Sequence, residues 1–259
     1  MMMTRLMQPI FRMMTFTGMA VLSLLHAQAW ADTTPPADNI EAGILETAPP
    51  FVFKQDGQYK GITYDILKEI AQRQHFKISA NPMGFDAMIP AMQSSQIDVA
   101  VAGFFVTPER KKIIDFSVPF FQEGSVLVVP VNSAIKSYGD LTGKVVVTQQ
   151  GSAALNVLNK LAPQYHITVR AIADQSNLLL TLQSGNADAA FYDSAIIEYL
   201  IAQQGAHPTL RTVGKVQEPT DIAFALPKNS KWTTVLNENI EKMKSSGELK
   251  TIIGRYIKE

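Results

Sequence analysis

The chain has 259 residues, 23 basic and 23 acidic side chains, 46% hydrophobic residues and no cysteine. Balanced charge without a long basic run gives no general attraction for nucleic acid. The absence of thiols excludes disulfide scaffolds, thiolate zinc sites and cysteine nucleophiles, and the apolar fraction is too high for a disordered chain. The length fits one or two globular domains.

Residues 1–31 read as a secretory signal. Arg5 and Arg12 are its only charges, an apolar stretch runs from Met13 to Leu25, and Ala27-Gln28-Ala29 and Ala29-Trp30-Ala31 offer small residues at signal-peptidase spacing. The apolar stretch, about 13 residues, is shorter than the roughly 20 that span hydrocarbon. The expectation is cleavage after Ala31 and a soluble, exported, periplasmic protein. Residues 32–39, with two prolines, form a flexible lead-in.

Strands and helical patterns then alternate. Ala42 to Leu45 is strand-like. Phe51-Val52-Phe53 and Tyr59-Lys60-Gly61 flank a hairpin signal, and apolar residues at 62, 66, 67, 70 and 71 have helical spacing. A strand at 77–80 precedes a helix at 87–94 capped by Asp86, and the run Val99 to Ala102 reads as a buried parallel strand. Further strands are predicted at 144–148, 167–171, 187–192 and 222–226. Helices are predicted from Ser152 to about Leu161, at 177–184, after Asp193-Ser194, and at 232–246 and 248–256, the last two separated by Gly247. This alternation predicts an α/β fold with largely parallel sheets. In such sheets ligands sit outside the carboxyl ends of strands.

Three polar segments follow strand ends. In 103–112, Arg110 is either part of a solvated charge cluster or a planar guanidinium that grips a carboxylate through two parallel hydrogen bonds. In Gln149-Gln150-Gly151-Ser152-Ala153, the serine is a helix cap, or the helix start offers its free N–H groups to an anion. In Tyr192-Asp193-Ser194, the aspartate is a cap or accepts hydrogen bonds from an ammonium. One cationic and one anionic anchor on separate sheet ends match a zwitterion. Phe51 and Phe85 are core or pocket wall. The G-x-S-x-G, H-E-x-x-H and phosphate-loop motifs are missing, and His75, His166 and His207 lie far apart, so neither metal nor cofactor is expected.

These residues carry a resemblance to the periplasmic solute-binding proteins of the polar amino-acid family, which also resemble the ligand-binding cores of ionotropic glutamate receptors. The strongest motif runs from Ile97-Asp98-Val99-Ala100-Val101-Ala102-Gly103 through Thr107-Pro108-Glu109-Arg110-Lys111 to Pro119-Phe120. Others are Pro49 to Phe53, Gly61 to Asp65, Phe85 to Pro90, Leu141 to Val145, Gln150-Gly151-Ser152 and Ala187 to Asp193.

The resemblance implies a two-lobe fold, with two mixed, largely parallel sheets, helices on both faces and two hinge strands. Lobe one would be 40–127 plus 224–259, and lobe two 128–223. It implies that Arg110 takes the ligand's α-carboxylate with backbone N–H groups near Phe105 and Ser152. Gly103 and Asp193 would take the α-ammonium, Phe85 would pack on the ligand, and Gln149, Tyr192 and Ala48 would lie at the site. The implied partners are an amino acid and the permease of an ABC importer, the implied form is a monomer, and the implied role is binding without catalysis. Two alternatives are a dehydratase-like enzyme, for which Glu198 is the nearest acid, and a sensor input module for a separate membrane protein. Ala48 replaces a usual aromatic, Phe105 a usual Ser or Thr, Thr63 a usual acid and Asp221 a usual glycine. These departures point to a less polar ligand, or one held differently from glutamine or histidine.

Overall fold

The computed structural model describes residues 38–257; the expected leader and most of the lead-in lie outside the described residues. In chain order, β1 (Asn39–Ile44), β2 (Thr47–Ala48), β3 (Val52–Gln55) and β4 (Gln58–Lys60) precede α1 (Ile62–Gln74). Next come β5 (Lys77–Pro82), α2 (Phe85–Gln93), β6 (Val99–Val101), α3 (Pro108–Ile113), β7 (Asp115–Phe116) and β8 (Phe121–Pro130). After a 3-10 turn at Tyr138–Leu141 follow β9 (Val145–Gln149), α4 (Ala153–Tyr165), β10 (Thr168–Ile172), α5 (Gln175–Gln183), β11 (Ala189–Asp193) and α6 (Ser194–Gln203). The chain closes with β12 (Leu210–Ile222), β13 (Ala225–Leu226), α7 (Thr233–Ser246) and α8 (Glu248–Gly254).

Two five-stranded sheets carry the fold, with strand orders β5-β1-β6-β13-β7 and β10-β9-β11-β8-β12; β2, β3 and β4 form a third, small sheet. In the first sheet β1 is parallel to β5 and β6, whereas β13 is antiparallel to β6 and β7. In the second, β9 is parallel to β10 and β11, and β8 is antiparallel to β11 and β12. Each is a mixed sheet with parallel strands on one side and antiparallel strands on the other. All three residues of β6 are buried, as an apolar run covered on both faces requires. α1 buries Ile62, Ile66, Leu67, Ile70 and Ala71, the stripe its spacing predicted, and ends where His75 turns left-handed. Trp232 is fully buried, edge-on to Phe76 at 4.9 Å.

β8 and β12 tie the sheets together. Phe121 is paired with Ile222 where the two strands begin their ladder, and the same end of β12 meets the 104–106 segment: Val106 N donates to Asp221 O at 2.9 Å and Ala223 N to Phe104 O at 3.2 Å. The expected division at 127/128 therefore falls inside β8, and 223/224 falls between β12 and β13. The strand expected at 222–226 is split into those two pieces. Other boundaries shift for local reasons. α2 begins at Phe85 with Gly84 at the cap, and Asp86 lies in its first turn, where its charge suits the positive helix end. α5 begins at Gln175 because the Asp174 side chain accepts from Asn177 N at 3.0 Å. α4 runs past Leu161 to Tyr165. Asn39, assigned to the lead-in, already belongs to β1.

A ladder irregularity between Val213 and Thr220 brings β12 close over Gly124 of β8. A Cβ at Gly124 would sit 2.4 Å from the Gln217 carbonyl oxygen. Gly124→Ala should lower stability by about 1–3 kcal/mol, read as a lower urea midpoint at unchanged slope. An unchanged midpoint would mean that β12 moves aside freely.

Candidate functional site

Arg110 lies in α3, a single short helix after β6. Thr107 caps it, its hydroxyl accepting from Arg110 N at 3.3 Å, and Pro108 occupies the first turn. The side chain is 7% exposed. Its Nη1 donates to Phe105 O at 2.9 Å, and its Nη2 donates to Gly151 O at 3.1 Å, joining the first sheet's segment to the start of α4. Phe85 and Phe104 stack at 4.7 Å, and the guanidinium carbon lies 5.4 Å and 4.8 Å from their ring centres. Burial pulls the Arg110 pKa down to about 10, against the pull of Asp193 that raises it.

Asp193 ends β11 at the start of α6 and is 8% exposed. Burial pushes its carboxyl up to about 7 even though Arg110 draws it down. A cation from the first sheet's side and an acid from the second thus feel each other in a dry setting. Beside Asp193, Tyr192 is buried, and its hydroxyl lies 2.9 Å from Gln149 Oε1 and 3.0 Å from Gln175 Oε1. A phenol has one proton, so it donates to one glutamine and pairs as an acceptor with the amide NH₂ of the other. Burial, then Asp193, raises the Tyr192 pKa well above its ordinary value.

Ser152 caps α4: its Oγ accepts from Leu155 N at 3.1 Å and donates to Gln149 O at 2.8 Å. Its N–H turns to Gln149 O at 3.3 Å. The hydroxyl and amide are both engaged locally, so the helix amides left for an anion are those of Ala153 and Ala154. Phe105 is 4% exposed and forms an isolated antiparallel bridge with Ile222. The flanking Val106 and Phe104 make the hydrogen bonds to β12, so the N–H and C=O of Phe105 both point to the opposite edge. Arg110 grips that carbonyl, and the Phe105 N–H faces the same side whatever its side chain is. Gly103 packs against the Phe51 ring, where a Cβ would meet ring carbon at 2.8 Å. Ala48 is buried at the end of β2.

The structure brings Arg110, Phe85, Phe105 and the Gly151-Ser152 turn together, couples Asp193 to Arg110, and joins Tyr192 to Gln149. Ala48 and Gly103 are both buried beside this group, and Gly103 lies against the Phe51 ring. Sequence reasoning missed Phe104, which completes the aromatic stack, and Gln175. It also missed Glu123, buried on β8, whose Oε2 accepts from Ala195 N at 2.8 Å. Phe104 adjoins Gly103 within the strongest motif, which was the available signal; Gln175 and Glu123 carried none. A cleft of about 540 Å³ opens nearby, walled by Phe105, Thr107, Ser125, Ala153 and Asn156 but not by Arg110 or Asp193. Both charged side chains are almost wholly buried. Among the described residues, no cluster of three or more His, Asp or Glu could hold a metal ion.

The bacterial extracellular solute-binding proteins, family 3, match residues 40–259. The chain belongs to that family. It is 31% identical over 228 residues to the ABC transporter glutamine-binding protein GlnH of Bacillus subtilis, covering 86% of this chain and 82% of that protein. It is 29% identical over 204 residues to the arginine-binding extracellular protein ArtP of the same organism, covering 78% and 80%. A solved ancestral arginine-binding protein bound to glutamine superposes with a TM-score of 0.79 at 34% identity, over 86% of this chain and 99% of the other. The family binds solutes outside the cytoplasm, and the fold is that of a two-sheet periplasmic binding protein. No helix among the described residues is long and apolar enough to cross a membrane.

Burial lifts the Asp193 carboxyl from the 3.8 of a free aspartate to about 7 in the folded protein. The folded, ligand-free protein therefore holds more protons than the unfolded chain between those values, and Asp193 erodes stability as pH rises through that window. Asp193→Asn removes the effect. In urea titrations its stability relative to wild type should improve by upward of about 1 kcal/mol from pH 4 to pH 8; a pH-independent difference would contradict the assigned ionisation.

Proposed function

We propose that this chain is the solute receptor of an ABC importer, capturing an α-amino acid between two lobes. The lobes are the two large sheets with their helices, divided near Phe120/Phe121 and Ile222/Ala223, and β8 and β12 are the hinge. The observation that carries the reading is the buried, electrostatically coupled pair of Arg110 and Asp193, one from each sheet. Arg110 and the Phe105 N–H take the α-carboxylate, with the first amides of α4 completing its shell. Asp193 takes the α-ammonium, with the Gly103 carbonyl opposite. The Phe85–Phe104 stack forms an aromatic wall for the side chain, and Gln149, Tyr192 and Gln175 form an uncharged polar floor under Asp193.

Burying two opposite charges costs several kcal/mol per ion unless their hydrogen bonds are matched. Each charge-assisted bond returns roughly 1.5–3 kcal/mol. The ligand therefore needs several at once, from both lobes, and those bonds favour the closed form over the open one. A permease can then read the closed shape. The relatives named for binding glutamine and arginine support an amino acid as the solute.

A thermal-shift screen over the common L-amino acids should find one that stabilises the protein by about 2.7 kcal/mol at a concentration 100 times its Kd. Arg110→Ala should weaken that ligand by at least about 100-fold, the cost of leaving its carboxylate without its charged partner. A stripped protein that answers to no α-amino acid would overturn the proposal, and so would full binding by Arg110→Ala.

A further inference from the structure

Asp193 stands at the cap position of α6. An aspartate there ordinarily accepts a hydrogen bond from the second or third amide of its own helix. Asp193 makes no such bond. The second amide, Ala195 N, donates instead to Glu123 Oε2 at 2.8 Å. Glu123 reaches it from the neighbouring strand. The β8–β11 ladder ends at Ser125 opposite Asp193, so two residues further along each chain Glu123 comes level with Ala195.

We propose that Glu123 is a positioning residue: it caps α6 in place of Asp193, and thereby leaves the Asp193 carboxyl free to turn into the cleft and take the ligand's ammonium. This rests on Asp193 being the ammonium anchor.

Three observations support the assignment. Glu123 is buried, at 6% exposure, so it is held there against the cost of desolvating a carboxyl. Its Oε1 has no hydrogen-bond partner among the described residues, so the side chain is held through Oε2 by the start of α6, where the Ala195 amide donates and the Ser194 hydroxyl adds a second contact. Burial, then the neighbouring Asp193, raises its pKa well above the ordinary range, and a protonated carboxyl still accepts through Oε2. The groups that bear on the two acids are Arg110 from α3, Tyr192 from β11 and Glu198 from α6. Only Arg110 is cationic. Had Asp193 capped the helix itself, one of its two carboxyl oxygens would be turned back onto that amide and fewer acceptor sites would face the ammonium.

Glu123→Gln keeps an acceptor of the right reach, whereas Glu123→Ala removes it and lets Asp193 fall back onto its helix. The probe is the L-amino acid that most stabilises wild-type protein in a screen of the common twenty. Its Kd should rise at least tenfold in Glu123→Ala and return to within about threefold of wild type in Glu123→Gln. Binding by a folded Glu123→Ala within twofold of wild type would overturn the proposal, and so would a Glu123→Gln no better than the alanine variant. A measurement without ligand covers the case in which Glu123→Ala does not fold. In a pH titration of the ligand-free protein, the Ala195 amide resonance should follow an ionisation that persists in Asp193→Asn and vanishes in Glu123→Gln. The reverse pattern would make Asp193 the cap. Because that readout needs no ligand, a confirmed cap in a protein that binds no amino acid would fault the functional reading and leave the capping assignment standing.

Discussion

A guanidinium held out of water organises this protein. Arg110 carries five N–H donors, and its hydrogen bonds to protein are to the carbonyls of Phe105 and Gly151. The stacked rings of Phe85 and Phe104 lie beside it, 5.4 Å and 4.8 Å from its central carbon. Such a cation is costly to bury, as the fall of its pKa to about 10 records. Much of the surrounding sequence serves to keep it in place. Thr107 and Pro108 start the short helix that carries it, the covered strand β6 delivers that helix to the sheet end, and the Phe105–Ile222 bridge turns the Phe105 backbone towards it. The bond to Gly151 reaches the start of α4, so the same side chain links segments that follow strands of the two different sheets.

Asp193 is the complementary cost. Its carboxyl is lifted to about 7 by burial despite the cation opposite. Burial disfavours the charged form of both residues, in the way desolvated groups gather at functional positions. A ligand with one anionic and one cationic end relieves both at once, whereas an ordinary salt bridge between Arg110 and Asp193 would relieve both and leave no role for a solute. The geometry around each holds them apart for that use: the guanidinium is pinned to backbone carbonyls, and the acid is spared from capping its own helix.

The parallel strands and the amphipathic α1 were legible in the sequence because each follows a simple period: continuous apolar residues in β6, and 3.6-residue spacing from Ile62. β8 and β12 were not. β8 carries Gly124 at its closest approach to β12, and β12 carries Pro219, Gly214 and few buried residues, so neither gives an alternating pattern. Both are set by pairing with one another, a tertiary fact. Arg110 and Asp193 could be found because charged residues after strand ends are conspicuous. Glu123 could not, since an acidic residue before a glycine on an unrecognised strand has no local signature. Ser152 was legible as a cap, but its amide and hydroxyl close on Gln149, which leaves the Ala153 and Ala154 amides as the unpaired donors of the first turn. Phe105 shows the limit of side-chain substitution as a guide, because its contribution to the site comes from backbone groups that any residue would present.

The account turns on a neutralised acid that ionises when an ammonium arrives. Calorimetric titration of the bound amino acid at pH 6, repeated in buffers of different ionisation enthalpy, counts the protons exchanged on binding. With burial lifting Asp193 to about 7, binding should release close to one proton at pH 6 and only about a tenth of one at pH 8. Binding with no proton release at pH 6 would contradict the carboxylate–ammonium contact on which the clamp depends.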